Sequence, residues 1–359
     1  MEQQPKYRKH DKEEMLTHFL VVALIIAFAA TVGCLIAFWS QIKQSERLGD
    51  HAGRECDRWY CLITEDKESA FWQNVYDSML EEGYAKDTYI EWMGRNLVDD
   101  YTKYDLLEIA INSGVDGIIV EADDSEEFEE RLMEASVKDI PIVAVMQDDV
   151  AGIRKSFVGP SNYNLGNEYG NQILKAAKEA RQSQIIKGEE TENQQIDVLV
   201  VVEADSSATS QNLIITALNE VLESGNKSGM MINMRATSIR SDSVFGEEDA
   251  VRNMLINDEE TVPDIMVCLS EATTKSAFQV LVDENMVGEV SIIGYSDSDT
   301  ILKAVSKGIV YATASIDTNQ MGRNCVDALD EYLNTGYVNE YYSTNFTMIN
   351  RENVGEFLN

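Results

Sequence analysis

Residues 105–149 read DLLEIAINSGVDGIIVEADDSEEFEERLMEASVKDIPIVAVMQDD, and the fold of the chain is decided there. Leu106, Leu107, Ile109 and Ile111 give a short helix an apolar face, Ser113 and Gly114 stop it, and Gly117 to Val120 is an apolar run of strand length. The pattern then repeats: an acidic turn over 123–125 caps a helix over 126–135, and Pro141 opens a second apolar run over 142–146. Strand, helix and strand joined by crossovers of this length make adjacent parallel strands covered by helices. Both strand ends deliver polar residues, 121–124 and 147–149, and open sheets of this kind bind ligands beyond their carboxyl ends.

Outward from that stretch the same rhythm is heard twice. Apolar runs begin near Arg58, Thr88, Gly117, Pro141 and Ser156, and again near Asp197, Met230, Ile265, Val290 and Val310. Successive starts differ by 30, 29 and 24 residues in the first set and by 33, 35 and 25 in the second. The expectation is two similar parallel-sheet lobes of usual domain size, linked by a helix over 165–181 whose apolar face is Leu165, Ile173, Leu174 and Ala177. A polar stretch over 187–195 reads as a surface loop.

The chain has 359 residues and a net charge of −34, and residues 1–39 hold four Lys/Arg against four Asp/Glu, so the excess lies beyond Ser40. A surface that acidic repels phosphate backbones, which excludes nucleic acid as a partner. Residues 19–39 carry no charge, and at about 1.5 Å per residue they reach across the hydrocarbon of a bilayer. The expectation is a tail over 1–18, a transmembrane helix or signal anchor over 19–39 and a polar linker over 40–56. A lipoprotein signal ending at Cys34 is the competing reading, and Thr31 and the apolar run 35–39 count against it.

Cys56 and Cys61, if they share a strand, lie about 16 Å apart and cannot bridge. Buried free thiols are expected at Cys61 and Cys268, and the pairing of Cys56 and Cys325 stays open. The three histidines, His10, His18 and His51, precede both lobes. No Ser-His-Asp relay, Cys-His pair or histidine metal site can therefore be built in the folded domain. Nucleotide-binding loops and a nucleophile elbow are absent from the sequence. The chain is expected not to be an enzyme and to need neither metal nor cofactor.

Several stretches, taken in order, carry a resemblance: AFWQNVYDSML from Ala70, SGVDGIIVEADD from Ser113, IPIVAV from Ile140, VGPSNYNLGNEYGNQI from Val158, VSIIGYSDSD from Val290, VYATASIDTNQMG from Val310 and FTMINRENV from Phe346. This ordered set resembles the type I periplasmic solute-binding proteins of the ribose and galactose class, whose fold also forms the effector domains of lactose-repressor-like regulators. The resemblance implies an α/β fold of two Rossmann-like lobes joined by three crossings, lobe 1 at about 57–160 and 318–341 and lobe 2 at about 161–317 and 342–359. It further implies a ligand clasped in the cleft by hinge closure.

The resemblance also says where ligand contacts fall. The aromatic pair at the first helix is Phe71 and Trp72; the asparagine of the third-strand loop becomes Glu121. The Asp and Arg after the fourth strand become Met146 and Gln147, with Asp148 and Asp149 following. In lobe 2 the early Arg falls near Asn212, the Asn-Asp pair on Ser270 and Glu271, the Asp after the Gly-aromatic pair on Ser296, and the late Gln on Ile316. With both arginines lost and carboxylates kept, the pocket changes sign, and a neutral or cationic polar ligand is expected rather than an acidic one. The function implied is an extracytoplasmic solute-binding protein held to the cell membrane, passing a small polar ligand, a sugar, to an ABC transporter. Two alternatives remain: a receptor that presents its closed form to a chemoreceptor or sensor kinase, and a surface glycan hydrolase using a carboxylate pair.

Overall fold

The computed structural model of the chain describes residues 56–97, 101–123, 125–148, 152–187, 195–204, 208–227, 231–239, 244–257 and 262–358. The expected membrane span, the tail, Cys34 and nearly all of the linker lie outside these residues; among the described residues no helix is long and apolar enough to cross a membrane.

The first lobe is built from β1 (Arg58–Ile63), α1 (Ala70–Ala85), β2 (Thr88–Trp92), α2 (Lys103–Ser113), β3 (Gly117–Val120), α3 (Glu126–Val137), β4 (Ile142–Val145) and β5 (Ser156–Pro160). The second contains α4 (Asn162–Lys187), β6 (Gln195–Glu203), α5 (Ala208–Lys227), β7 (Met231–Ile239), α6 (Val244–Arg252), β8 (Ile265–Cys268), α7 (Glu271–Asp283), β9 (Ser291–Tyr295), α8 (Asp299–Lys307) and β10 (Val310–Ile316). The chain then returns to lobe 1 with α9 (Thr318–Thr335) and β11 (Tyr341–Thr344), and finishes in lobe 2 with β12 (Phe346–Asn350). Among the described residues each lobe holds one six-stranded sheet, in the orders β11-β5-β4-β3-β1-β2 and β12-β10-β9-β8-β6-β7. Among the described residues every pairing of these strands is parallel except that of β10 with β12.

Both faces of each sheet are covered, and the strands show it residue by residue. In β1, Tyr60 and Leu62 enter the core beneath α1 and α9, while Cys61 and Ile63 enter the core beneath α2 and α3. In β8, Ile265 and Val267 face the α4–α5 side and Met266 and Cys268 the other. This is why the central strands read as unbroken apolar runs rather than alternating ones. Each fully buried aliphatic side chain of this kind contributes about 1.5–3 kcal/mol.

The helices begin and end where the local chemistry says they should. Thr102 and Asp105 form a reciprocal capping box at the start of α2, and Gly114 closes it at φ +71°. Ser125 accepts from the Phe128 N–H to open α3. Close helix pairing needs small residues: a Cβ on Gly322 of α9 would lie 2.4 Å from the Val75 carbonyl oxygen of α1. One on Gly166 of α4 would lie 2.3 Å from the Ile214 carbonyl oxygen of α5.

Three short segments cross between the lobes, at Ser161, Asp317 and Asn345. Two of them are bonded to each other: the Asp317 N–H donates to the Asn345 carbonyl at 2.9 Å, and the Asn345 N–H to Gln320 Oε1 at 2.7 Å. Of the described cysteines, all free, Cys61, Cys268 and Cys325 are buried and Cys56 is partly exposed.

Candidate functional site

In each lobe the residues that follow the strands gather at the carboxyl edge of the sheet. Glu121 follows β3, and its N–H donates to the Ile63 carbonyl at the end of β1. Its carboxylate accepts from the Glu65 N–H, and burial, with the charges of Glu65 and Asp66, outweighs the pull of Lys103 and raises its pKa to about 7. Lys103, at the first position of α2, has a side chain only 4% exposed and reaches Asp123 at 2.6 Å and Glu65 at 2.9 Å. The Tyr104 hydroxyl lies 3.1 Å from both Asp123 Oδ2 and Ser125 Oγ, completing this wall of lobe 1. A cavity of about 460 Å³ opens beside it, lined in lobe 1 by Thr64, Glu65, Lys67, Glu68 and the residues from Tyr101 to Tyr104.

Further along the same edge, β4 ends in a turn whose Met146 sits at φ +64°. Gln147 and Asp148 follow, both partly buried. Asp148 is gripped by Arg154, whose Nη2 is 2.9 Å from Oδ2, and Arg154 also donates to the Glu340 carbonyl and lies over the Tyr341 ring. A guanidinium thus does stand near this edge, but it is tied to β11 and neutralises Asp148. Phe71 and Trp72 open α1 with their rings edge to face, centroids 5.1 Å apart. Trp72 is 5% exposed and part of the lobe 1 core, whereas Phe71 packs against that core and is only partly buried.

In lobe 2, Ser270 caps α7 by accepting from the Thr273 N–H at 3.2 Å. Glu271 pairs with Lys275 and accepts from Ser296 Oγ at 2.9 Å, contacts that hold its carboxyl below the usual range despite burial. Ser296 has φ +86°, an uncommon conformation for a residue with a Cβ. It is fixed there by its N–H to Ala314, its carbonyl accepting from Thr313 Oγ1 at 2.7 Å, and its bond to Glu271. Ser270, Glu271 and Ser296 are therefore brought together. Asn212 is exposed on α5, next to Gln211, whose Nε2 donates to the Glu203 carbonyl at the end of β6. Ile316 is buried at the end of β10, and Asp149 lies outside the described residues.

One residue that sequence reasoning passed over joins the two edges. Tyr295, last in β9, packs against the α1–α9 core of lobe 1 as well as the α4–α5 core of lobe 2. Its backbone N–H donates to Thr274 Oγ1 at 3.0 Å, and its hydroxyl is sealed from solvent without a hydrogen-bond partner. Burial and the charges of Asp297, Glu121, Glu271 and Glu203 push its pKa up. Packed on the cores of both lobes, Tyr295 lies where the two edges meet, and carboxylates of each lobe act on its phenol. The only sequence signal for it was its place in the Gly-aromatic pair, Gly294-Tyr295. Among the described residues, no group of three or more His, Cys, Asp or Glu side chains is arranged to hold a metal ion.

Two covered parallel sheets, three crossings and facing carboxyl edges define a two-lobed binding protein. A model of the periplasmic binding protein domain matches residues 60–337, and the chain belongs to that family, a family of binding proteins rather than enzymes. No protein in the curated comparison matches it in sequence. Among solved structures it is similar to GanP, a glucose-galactose binding protein from Geobacillus stearothermophilus, at 18% identity and TM-score 0.68 over 82% of this chain and 98% of that one. It is similar to XylFII, seen alone and in a XylFII-LytSN complex, at 20% identity and TM-score 0.64 over 82% and 98%. A solute-binding protein of an ABC transporter from Burkholderia graminis, in complex with D-arabinose, matches at 16% identity and TM-score 0.68 over 85% and 99%.

Proposed function

We propose that this chain is an extracytoplasmic solute-binding protein, held to the cell membrane by a single span over residues 19–39, that clasps a small polar ligand of the sugar class and delivers it to an ABC transporter. The observation that carries the reading is Tyr295, which belongs to lobe 2, touches the cores of both lobes and keeps its hydroxyl unpaired between their acidic edges. A ligand in that gap makes contacts to both edges only when the lobes come together, and that differential affinity is what drives closure. The exposed face of Phe71, with Glu121 and Gln147, supplies lobe 1; Asn212, Ser270, Glu271 and Ser296 supply lobe 2. Similarity to a glucose-galactose binding protein and to a solute-binding protein in complex with D-arabinose supports the ligand class.

The test is a thermal-shift screen of sugars against the full chain, followed by small-angle scattering with any hit. A ligand that binds the folded form raises the melting temperature by mass action, and closure lowers the radius of gyration. A hit with no change in that radius would refute the clasp. Removal of residues 1–39 is expected to release the protein from the membrane fraction, and persistence there would refute the anchor.

A second reading has one specific observation in its favour. XylFII is seen in complex with another protein, LytSN, and the same fold here could present its closed form to a sensory membrane partner. Ligand-dependent co-purification of a sensor kinase or chemoreceptor, rather than a permease, would favour it.

A further inference from the structure

Several cations near the described strand ends are already held by partners, while Arg95, three residues beyond β2, is exposed and lies over the Tyr76 and Trp92 rings. Lys103 is shared by Glu65 and Asp123, Arg154 holds Asp148, Lys275 holds Glu271 on its own helix, and Lys67 donates to the Tyr101 carbonyl. Carboxylates remain in excess on both sides. Among the described residues neither Glu121 of lobe 1 nor Asp297 of lobe 2 forms an ion pair, and Asp297 has the Ser315 hydroxyl as its partner at 2.7 Å. Closing the lobes on a neutral molecule would draw these carboxyl groups into a drier gap without a bound cation, the pull of Lys103 on Glu121 being outweighed by burial, and that is costly.

The Tyr295 hydroxyl is an independent sign pointing the same way. It is buried without a partner, and each of the four charges acting most strongly on it is negative. A buried hydroxyl left unpaired is destabilising until something meets it, and the face of a phenol ring attracts a cation. The geometry points to a ligand that carries a protonated amine, an amino sugar in the simplest case, with its ammonium held between Glu121 and Asp297 beside Tyr295. This rests on the clasp proposed above and narrows its occupant: sugar hydroxyls satisfy the polar groups, and the amine supplies the missing positive charge.

The experiment is calorimetric titration of the full chain at neutral pH with matched probes: glucosamine, glucose and N-acetylglucosamine, then galactosamine, galactose and N-acetylgalactosamine. At least one amino sugar is expected to bind about tenfold or more tightly than both its hydroxyl and its N-acetyl counterparts, because a charge-assisted bond replaces a neutral one. Glu121→Gln or Asp297→Asn is expected to shrink that preference to about threefold or less. The wild-type comparison of amine with N-acetyl amine needs no variant, so it decides the matter even if either variant misfolds. A neutral or acetylated sugar bound as tightly as its amine overturns the amine and leaves the clasp standing. Failure of all six sugars to bind overturns the amino sugar, while the clasp falls only if the wider thermal-shift screen of sugars also finds no hit.

Discussion

Replacing Glu121 by Gln removes a carboxylate that the fold holds at a cost. Its pKa is raised from 4.5 to about 7, chiefly by burial and then by the nearby charges of Glu65 and Asp66, against the opposing pull of Lys103. A raised pKa on an acid means that the folded state favours the protonated form. The stability linked to this proton is complete below the unfolded-state value near 4.5 and is lost as pH rises through about 7. One pKa step is worth about 1.4 kcal/mol, so the shift corresponds to about 3 kcal/mol, or about 2–3 kcal/mol after allowing for the partial exposure of the side chain. Urea unfolding of wild type and Glu121→Gln at a series of pH values between 4 and 8.5 is the assay. The stability of the variant relative to wild type should be near zero at the acid end and climb by about 2–3 kcal/mol above neutrality. Other titrating groups largely cancel in that difference. A difference that stays flat with pH, or one that favours wild type as pH rises, would refute the assignment of a buried, unpaired carboxylate at this edge.

Lys103→Met leaves Asp123 and Glu65 without their shared ammonium, and a loss of about 2–3 kcal/mol in urea unfolding is expected, below the range for a fully buried pair because Glu65 is 69% exposed. Gly322→Ala forces a methyl group to 2.4 Å from the Val75 carbonyl oxygen, so α1 and α9 must separate; a fall in stability of about 1–3 kcal/mol or more is expected, measured by the melting temperature. Gly294→Ala puts a methyl group 2.3 Å from Thr274 Cγ2 and disturbs the hydroxyl that holds the Tyr295 N–H, so sugar affinity should fall more than stability does in paired calorimetric and thermal measurements. Of the four described cysteines, only Cys56 should react with a water-soluble maleimide in the native state, since burial pushes the thiols of Cys61, Cys268 and Cys325 up; mass spectrometry of the labelled peptides reads this directly.

The two-lobed α/β architecture was legible because central parallel strands buried on both faces leave an unbroken apolar signature, as in GIIV and IVAV. Boundaries were less so. The run beginning at Ile142 looks apolar through Met146, yet β4 stops at Val145 because Met146 turns to φ +64° and bonds to Val158 on the neighbouring strand. β11, the tetrapeptide YYST, has no apolar run; it is a strand because β5 offers it an edge, information that no local window holds. At the candidate site, Ser270, Glu271 and Ser296 came from the family resemblance, and the Ser296 to Glu271 hydrogen bond shows them to be neighbours. The role of Lys103 could not: inside KYDLLEIAINS it looks like any solvated lysine, and only Glu65 and Asp123, from two other segments, make it a buried one. The pair Phe71 and Trp72 reads identically in sequence whether it faces core or cleft; Trp72 is part of the core, whereas Phe71 packs against that core and stays partly exposed.

Asp317 and Asn345 lie 28 residues apart in sequence, yet each is the sole residue between two elements of opposite lobes and they share a backbone bond. Rotation about one therefore strains the other, so the pair behaves as a single axle with Gln320 as its pin. Pro160, with its fixed φ, precedes the third passage, so sideways sliding of the halves is expected to be opposed more than opening and shutting about that axle. Weakening the pin, by Gln320→Ala, would loosen the choice of direction rather than the tendency to close.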